Sequence, residues 1–147
     1  LVGSEMCIRD RYRNDMEGGQ TNEFRPLILV AEDDDSNFKL IKAIIGKKCD
    51  IQWAKNGEEI VALFKEYGKE AKAILMDIKM PVMNGLDATK IIREENKEIP
   101  IIMQTAYAFS SDKENAMNAG ASEVLVKPIT LSILRGTLTK YFPELVW

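Results

Sequence analysis

Four acidic side chains stand in a row in this 147-residue sequence, directly behind an apolar run of the length of one buried strand. The apolar run is Leu27–Ala31 and the acids are Glu32–Asp35. Further along the chain, three other short apolar runs end beside Asp77, Thr105 and Lys127. The sequence contains no histidine, which excludes Ser-His-Asp catalysis, Cys-His catalysis and every histidine-ligated metal. Chemistry in this chain must therefore rely on carboxylates, hydroxyls and lysines, and a hard cation is a further candidate.

The acid cluster needs a compensating positive charge. Two unit charges about 4 Å apart repel by about 4 kcal/mol at an effective dielectric constant near 20, and a third carboxylate roughly triples that cost. Either some of these carboxyl groups stay protonated or a cation sits among them. Oxygen ligands favour Mg²⁺, and an EF-hand calcium loop is excluded because DDDSNFKLIKAI lacks the central Gly and the final Glu. A carboxylate, Mg²⁺, a hydroxyl and an ammonium together predict phosphoryl-transfer chemistry.

Each of these residues also has a plainer interpretation when it is taken alone. Acids before a helix commonly cap it, and we assign that cap to Asp35 or Ser36, with Asp34 in solvent. A single Asp after a strand is usually a turn residue, a Thr in a strand reflects β propensity, and Lys-Pro usually forms a surface turn. Their shared position at the ends of predicted strands favours the chemical interpretation.

The composition restricts the classes of protein to which this chain can belong. The net charge is -3 and hydrophobic residues make up 46%, so we expect a folded core and no contact with nucleic acid or membrane. No apolar run approaches the ~20 residues of a membrane span, and no signal-peptide pattern is present. The two cysteines, Cys7 and Cys49, cannot form a multi-bridge framework, which favours a reducing, cytoplasmic location.

The first 25 residues differ from the rest of the chain. They are polar, contain glycine and show neither helical nor strand periodicity, so we predict a disordered tail or linker. Residues 6–11, MCIRDR, match the translation of a common transposase-adapter DNA end, and we interpret them as a sequencing-adapter artefact outside the fold. The remaining residues, 26–147, are predicted to form one domain.

Apolar runs and helical patterns alternate along this domain at steps of about 25 residues, the scale of a βαβ unit. We predict strands at Leu27–Ala31, Ile51–Ala54, Ala73–Met76, Ile99–Met103 and Glu123–Val126. We predict helices at Asn37–Ile45, Glu58–Tyr67, Leu86–Glu95, Asp112–Ala119 and Leu131–Tyr141. This alternation predicts an α/β fold with a doubly wound, five-stranded parallel sheet. In such sheets functional groups gather at the carboxyl ends of the strands.

Four stretches of the chain, ILVAEDDDSN, ILMDIKMPVMNG, TAYA and VKPI, together resemble the receiver domain of two-component response regulators. The resemblance extends from about Pro26 to Phe142 and implies a flavodoxin-like (βα)5 sheet in the order 2-1-3-4-5. It also implies a cis peptide between Lys127 and Pro128. The stretches MDIKMPVMNG and QTAYAFSSDKENAMNAGA resemble most the receivers at the C-terminal end of hybrid sensor histidine kinases.

The resemblance also implies the roles of individual residues. Asp77 becomes the phosphoacceptor, Thr105 the hydroxyl that binds the phosphoryl group, and Lys127 the ammonium that bridges it. The implied ligands of a Mg²⁺ cofactor are Glu32, Asp33, Asp77 and the backbone carbonyl of Lys79. The family often has an aromatic residue three positions before the lysine, where this chain has Val124. We predict that Tyr107 supplies that aromatic and shields the phosphoryl group from water.

The implied function is a Mg²⁺-dependent phosphoacceptor of a phosphorelay, not an enzyme. Because this chain has no histidine, a phosphohistidine donor must come from a partner or from an upstream part of a longer chain. The resemblance implies that this donor is a histidine kinase or a histidine phosphotransfer domain, and the downstream partner is not indicated. One alternative is an Asp-nucleophile phosphatase of the haloacid-dehalogenase type. That chemistry needs a second acid two residues after the nucleophile, where this chain has Lys79. Another alternative is an interaction module that is never phosphorylated.

Overall fold

The computed structural model describes residues 24–106 and 111–147. Most of the predicted tail at residues 1–25, including the MCIRDR segment, lies outside these residues. Tyr107 lies outside them as well. The predictions for the tail and for Tyr107 therefore stay predictions.

Five strands alternate with five helices within the described residues. The strands are β1 (Leu27–Ala31), β2 (Asp50–Ala54), β3 (Ala71–Asp77), β4 (Ile101–Thr105) and β5 (Glu123–Val126). The helices are α1 (Asp35–Ile45), α2 (Gly57–Tyr67), α3 (Gly85–Glu95), α4 (Ser111–Ala119) and α5 (Leu131–Tyr141). Every strand pair is parallel, and the strands lie in the order β2-β1-β3-β4-β5. The predicted doubly wound parallel sheet and its order 2-1-3-4-5 are confirmed.

Strand β1 is buried on both faces and anchors the centre of the sheet. Its residues Ile28 and Val30 pack in one cluster with apolar side chains of α1 and α5. Because side chains alternate along a strand, Leu27 and Leu29 face the other cluster, with α2, α3 and α4. Fully burying such a side chain stabilises the fold by about 1.5–3 kcal/mol, so the end of β1 holds the residues that follow it in a fixed position. Across the described ranges, none of the helices combines the length and apolar character that a bilayer crossing demands.

Four helices begin one or two residues earlier than their apolar pattern predicted, because their first turns are polar. The cap of α1 is Asp34, whose side chain accepts a hydrogen bond from the amide of Ser36 at 3.1 Å. The assignment of this cap to Asp35 or Ser36 was therefore wrong, although Asp34 is exposed to solvent as predicted. Asn56 and Asn84 cap α2 and α3 in a similar way.

Strand β4 lies two residues later than predicted, at Ile101–Thr105 rather than Ile99–Met103. The amide of Ile99 donates to the side chain of Asn96 at 2.9 Å, and Pro100 has no N–H to donate. Pairing with β3 therefore begins at Ile101. This register places Thr105 in the last position of a buried strand.

Candidate functional site

Side chains with the predicted chemistry converge at the carboxyl end of the sheet. β1 leads into Glu32 and Asp33, while β3 ends at Asp77 and β4 at Thr105; β5 leads into Lys127. Strands β1, β3, β4 and β5 are consecutive neighbours, so the parallel sheet delivers all of these side chains to one edge. Glu32, Asp77 and Thr105 are 0%, 6% and 3% exposed, whereas Asp33 is open to solvent.

Three carboxylates and one ammonium form the centre of this site. One oxygen from each of Glu32, Asp33 and Asp77 lies within 4.8 Å of the others. Lys127 Nζ lies 3.0 Å from Asp77 Oδ2 and 3.4 Å from Glu32 Oε1. One ammonium can balance one of the three negative charges, so the cluster keeps an excess of negative charge when all of its acids are ionised.

The protonation of the cluster follows from this crowding. Burial, and then the negative charge of Asp77, raises the pKa of Glu32 to about 8. Burial lowers the pKa of Lys127, but the hydrogen bond and charge of Asp77, together with Glu32, outweigh that effect and raise it overall. At neutral pH and without a cation, Glu32 therefore holds a proton while Lys127 stays charged. A bound cation would displace that proton, because carboxylates ligate cations in their ionised form.

The donor atoms fit a hard cation such as Mg²⁺, which prefers oxygen and keeps several waters. The cluster supplies carboxylate oxygens, and the exposed Asp33 leaves one side open to water. Lys79 lines a cavity of about 180 Å³ together with Asp77, Thr105, Ala106 and other residues at the strand ends. The role of its backbone carbonyl as a further ligand stays a prediction.

Trp53 on strand β2 holds the backbone of the acid-bearing loop, a role that the sequence patterns did not predict. Its indole Nε1 donates to the carbonyl oxygen of Glu32 at 2.8 Å. The amide of Glu32 in turn donates to the carbonyl of Ala54 at 2.9 Å. The Trp53 ring stacks on Phe38, with centroids 4.0 Å apart and planes 2° apart. Glu32 is thus tied to a strand that carries none of the predicted site residues.

The loop after Asp77 is tightly folded and locally strained. The amide of Met83 donates to the carbonyl of Pro81 at 2.7 Å, and Val82 between them has a φ of 69°. This is γ-turn geometry with positive φ, which is unfavourable for a β-branched residue. At the end of the loop, a Cβ on Gly85 would collide with the carbonyl oxygen of Asp77, so the close approach of α3 to β3 requires glycine.

The ends of β4 and β5 are joined to each other and to α4. The amide of Lys127 donates to the carbonyl of Thr105 at 2.7 Å, and the predicted cis peptide between Lys127 and Pro128 is confirmed. The hydroxyl of Thr105 donates to Oδ2 of Asp112, in the first turn of α4, at 3.3 Å. Sequence reasoning placed Asp112 on this helix but gave it no role. Val124 packs, partly buried, against the core on the side of α2, α3 and α4.

A second cavity, of about 280 Å³, opens beside Lys127. Its lining residues are Asn37, Leu40, Ile41, Gln104, Lys127, Pro128 and Ile129. Leu40 is 46% exposed, so a large apolar side chain faces solvent close to the acid cluster. An apolar surface therefore lies next to the charged residues at the strand ends.

Comparison with known proteins relates this arrangement to signalling domains. The family model of the response regulator receiver domain matches residues 28–139. Hybrid signal transduction histidine kinase I of Dictyostelium discoideum is 41% identical over an alignment of 129 residues, and the match covers 80% of this chain and 7% of that kinase. The histidine-protein kinase BarA of Escherichia coli is 32% identical, over 79% of this chain and 13% of the kinase. This chain thus spans a small part of the hybrid kinases that it matches, and the predicted resemblance to their receivers is confirmed.

Solved structures share the fold. The receiver domain of a Pseudomonas aeruginosa sensor histidine kinase, with a magnesium ion coordinated in its active-site cleft, gives a TM-score of 0.75 at 30% identity. The match covers 82% of this chain and 99% of that chain. A co-crystal structure from Saccharomyces cerevisiae, of a histidine phosphotransfer signalling protein with the receiver domain of its downstream response regulator, gives 0.75 at 28% identity. That match covers 83% of this chain and 93% of the other.

Proposed function

Because this chain belongs to the response regulator receiver family, we propose that it is a Mg²⁺-dependent phosphoacceptor of a two-component phosphorelay, with its receiver domain at residues 26–147. Asp77 receives a phosphoryl group from a histidine of another protein or of another part of a longer chain. The phosphorylated form then binds a downstream protein with a different affinity. Family membership supports this function over the haloacid-dehalogenase alternative.

The observation that carries this proposal is the position of the Asp77 carboxylate among the groups that phosphoryl transfer needs. Lys127 lies 3.0 Å from it, and oxygens of Glu32 and Asp33 lie within 4.8 Å. Thr105 lines the same cavity of about 180 Å³, which has room for a small group beside Asp77. A structural ion pair would need Lys127 and one acid, whereas a cluster of three acids repels itself and is stabilised by a cation or a proton.

In the proposed reaction, an oxygen of the Asp77 carboxylate attacks the phosphorus of a phosphohistidine. The new P–O bond forms as the P–N bond breaks, and the leaving imidazole nitrogen takes up a proton from solvent. Lys127 keeps its proton, because its pKa is raised, and neutralises charge on the transferred group. Thr105 donates a hydrogen bond to a phosphoryl oxygen. Later attack by water on phosphorus breaks the P–O bond and restores the carboxylate.

Glu32, Asp33 and Asp77 are the carboxylates that would hold Mg²⁺, with the backbone carbonyl of Lys79 as a further ligand. When bound, the ion would supply positive charge to the reacting groups. Glu32 would hold it as the ionised carboxylate, without the proton that burial otherwise keeps on it. The hydrogen bond from the Trp53 indole positions the Glu32 backbone for this role.

This chain has no histidine of its own, so the donor histidine lies elsewhere, and we propose a histidine kinase or a histidine phosphotransfer domain as the donor. The names of the relatives, and the phosphotransfer protein in the yeast co-crystal structure, support this choice. The apolar cavity at Leu40 and Pro128 offers the donor a contact surface beside Lys127. Contacts with nucleic acid or membrane are not part of the proposal. A cytoplasmic location agrees with the buried free thiol of Cys49.

The proposal is tested by chemical phosphorylation with acetyl phosphate and Mg²⁺, followed by intact-protein mass spectrometry. The wild type should gain one phosphoryl group, and Asp77→Asn should gain none. Asp87→Asn, at an exposed acid of helix α3, is the matched control and should label like the wild type. Labelling of Asp77→Asn would overturn the assignment of the acceptor. A wild type that never labels would favour the interaction module instead.

A further inference from the structure

Asp112 of helix α4 holds the hydroxyl that the proposed reaction needs. Thr105 Oγ1 donates to Asp112 Oδ2 at 3.3 Å, and Thr105 is 3% exposed, so bulk water does not compete freely for this hydroxyl. A threonine hydroxyl has one hydrogen to donate. While that hydrogen points to Asp112, it cannot point to a phosphoryl oxygen on Asp77.

We propose that Asp112 is a positioning residue that restrains Thr105 and thereby opposes phosphorylation of Asp77. This inference rests on the proposed function, since it concerns the same reaction. The Asp112 carboxylate and a phosphoryl oxygen compete for one hydrogen. The contact of 3.3 Å is longer than the 2.7–2.8 Å that is typical of hydroxyl donors, so the restraint is weak enough to be exchanged.

Helix α4 packs against the core through small side chains. Of its nine residues, the ones that are buried are Ala116 and Ala119. Helix α2, in contrast, buries large side chains such as Ile60, Leu63 and Phe64. Because small side chains bury little apolar surface, displacing the start of α4 loses less packing than displacing α2 would.

The bond therefore connects the chemical state of Asp77 to the position of α4. When the hydroxyl of Thr105 turns to the phosphoryl group, this hydrogen bond between the end of β4 and the first turn of α4 is lost. Coupling between two binding events is reciprocal. A partner that engages Asp112 on phosphorylated protein would therefore also favour the phosphorylated form.

The test compares Asp112→Ala with Glu114→Ala, which removes the same charge from the same first turn at an exposed position. The readouts are the rate of phosphorylation by acetyl phosphate at saturating Mg²⁺ and the affinity for beryllofluoride, measured by calorimetry. Asp112→Ala should raise both by about three- to tenfold, as expected from loss of one weak competing hydrogen bond. Asp112→Asn should raise them less, and Glu114→Ala should change them less than twofold.

A second comparison separates this effect from a general change in helix α4. In a Thr105→Val background no hydroxyl is present, so Asp112→Ala should have no effect on beryllofluoride affinity. An increase that persists in that background, an equal effect of Glu114→Ala, or an unchanged or lower affinity in Asp112→Ala would each overturn the inference. Failure of the wild type to bind beryllofluoride or to label would instead overturn the proposed function.

Discussion

The buried carboxyl group of Glu32 should make the metal-free protein less stable as the pH rises. Its pKa is about 8 in the folded chain against an ordinary value of 4.5, so between these values the folded state binds a proton that the unfolded state has lost. The free energy of unfolding then falls by up to about 1.4 kcal/mol per pH unit. From pH 6 to pH 8 the loss is on the order of 2 kcal/mol. Lys127 adds no slope in this window, because its ordinary pKa of 10.5 lies above the window and is raised further in the folded chain.

Urea unfolding followed by circular dichroism at pH 6, 7 and 8, in the presence of EDTA, measures this effect. Glu32→Gln has an uncharged side chain of the same size and should lose the pH dependence. Glu58→Gln, at an exposed acid of α2, should keep it. Mg²⁺ should stabilise the wild type more at pH 8 than at pH 6, because the ion competes with the proton. Equal wild-type stability at pH 6 and pH 8, or the same slope in Glu32→Gln, would refute the reasoning.

Three further changes test other parts of the site. Asp33→Ala removes a carboxylate that repels its neighbours, so the free energy of unfolding without metal should rise while Mg²⁺ binding weakens. Urea unfolding measures the first effect and calorimetry the second, and a lower free energy of unfolding would mean that Asp33 is structural. Val82→Gly relieves the strain of a φ of 69° and should raise the free energy of unfolding by about 0.5–1 kcal/mol, whereas Val146→Gly, at a comparably exposed valine, should not. Trp53→Phe removes the donor to the Glu32 carbonyl and should weaken Mg²⁺ binding about two- to fivefold; unchanged affinity would show that this bond does not position Glu32.

The candidate site residues could be predicted because the ends of the strands could be predicted. The bounds of β1 and β5 were predicted as observed, since each apolar run meets polar residues at the sheet edge. Once the strands are parallel neighbours, their topology alone brings Glu32, Asp77 and Lys127 together.

The contacts that tune the site were not predictable in the same way. The bond from Trp53 to Glu32 joins residues 21 positions apart, and its existence depends on how α1 packs against β2. The bond from Thr105 to Asp112 depends on where α4 begins. Neither follows a spacing rule such as the ones that mark helix caps or turns. Even the cap at Asp34 was misplaced, because the run of polar residues across the start of α1, residues 32–37, offers several equivalent candidates.

Because of its hydrogen bond to the Glu32 backbone, Trp53 can serve as an intrinsic fluorescence probe of the site. The chain has two tryptophans, and the other, Trp147, donates to Thr139 at 2.9 Å, beside Arg135. Trp53 is bonded to the Glu32 backbone, and the ammonium of Lys55 lies 4.8 Å from its ring centroid. An ion that shifts the Glu32 backbone changes the surroundings of this fluorophore and therefore its emission. With Trp147 replaced by Phe, metal binding at the site can be followed by the emission wavelength and intensity of Trp53, without an added label.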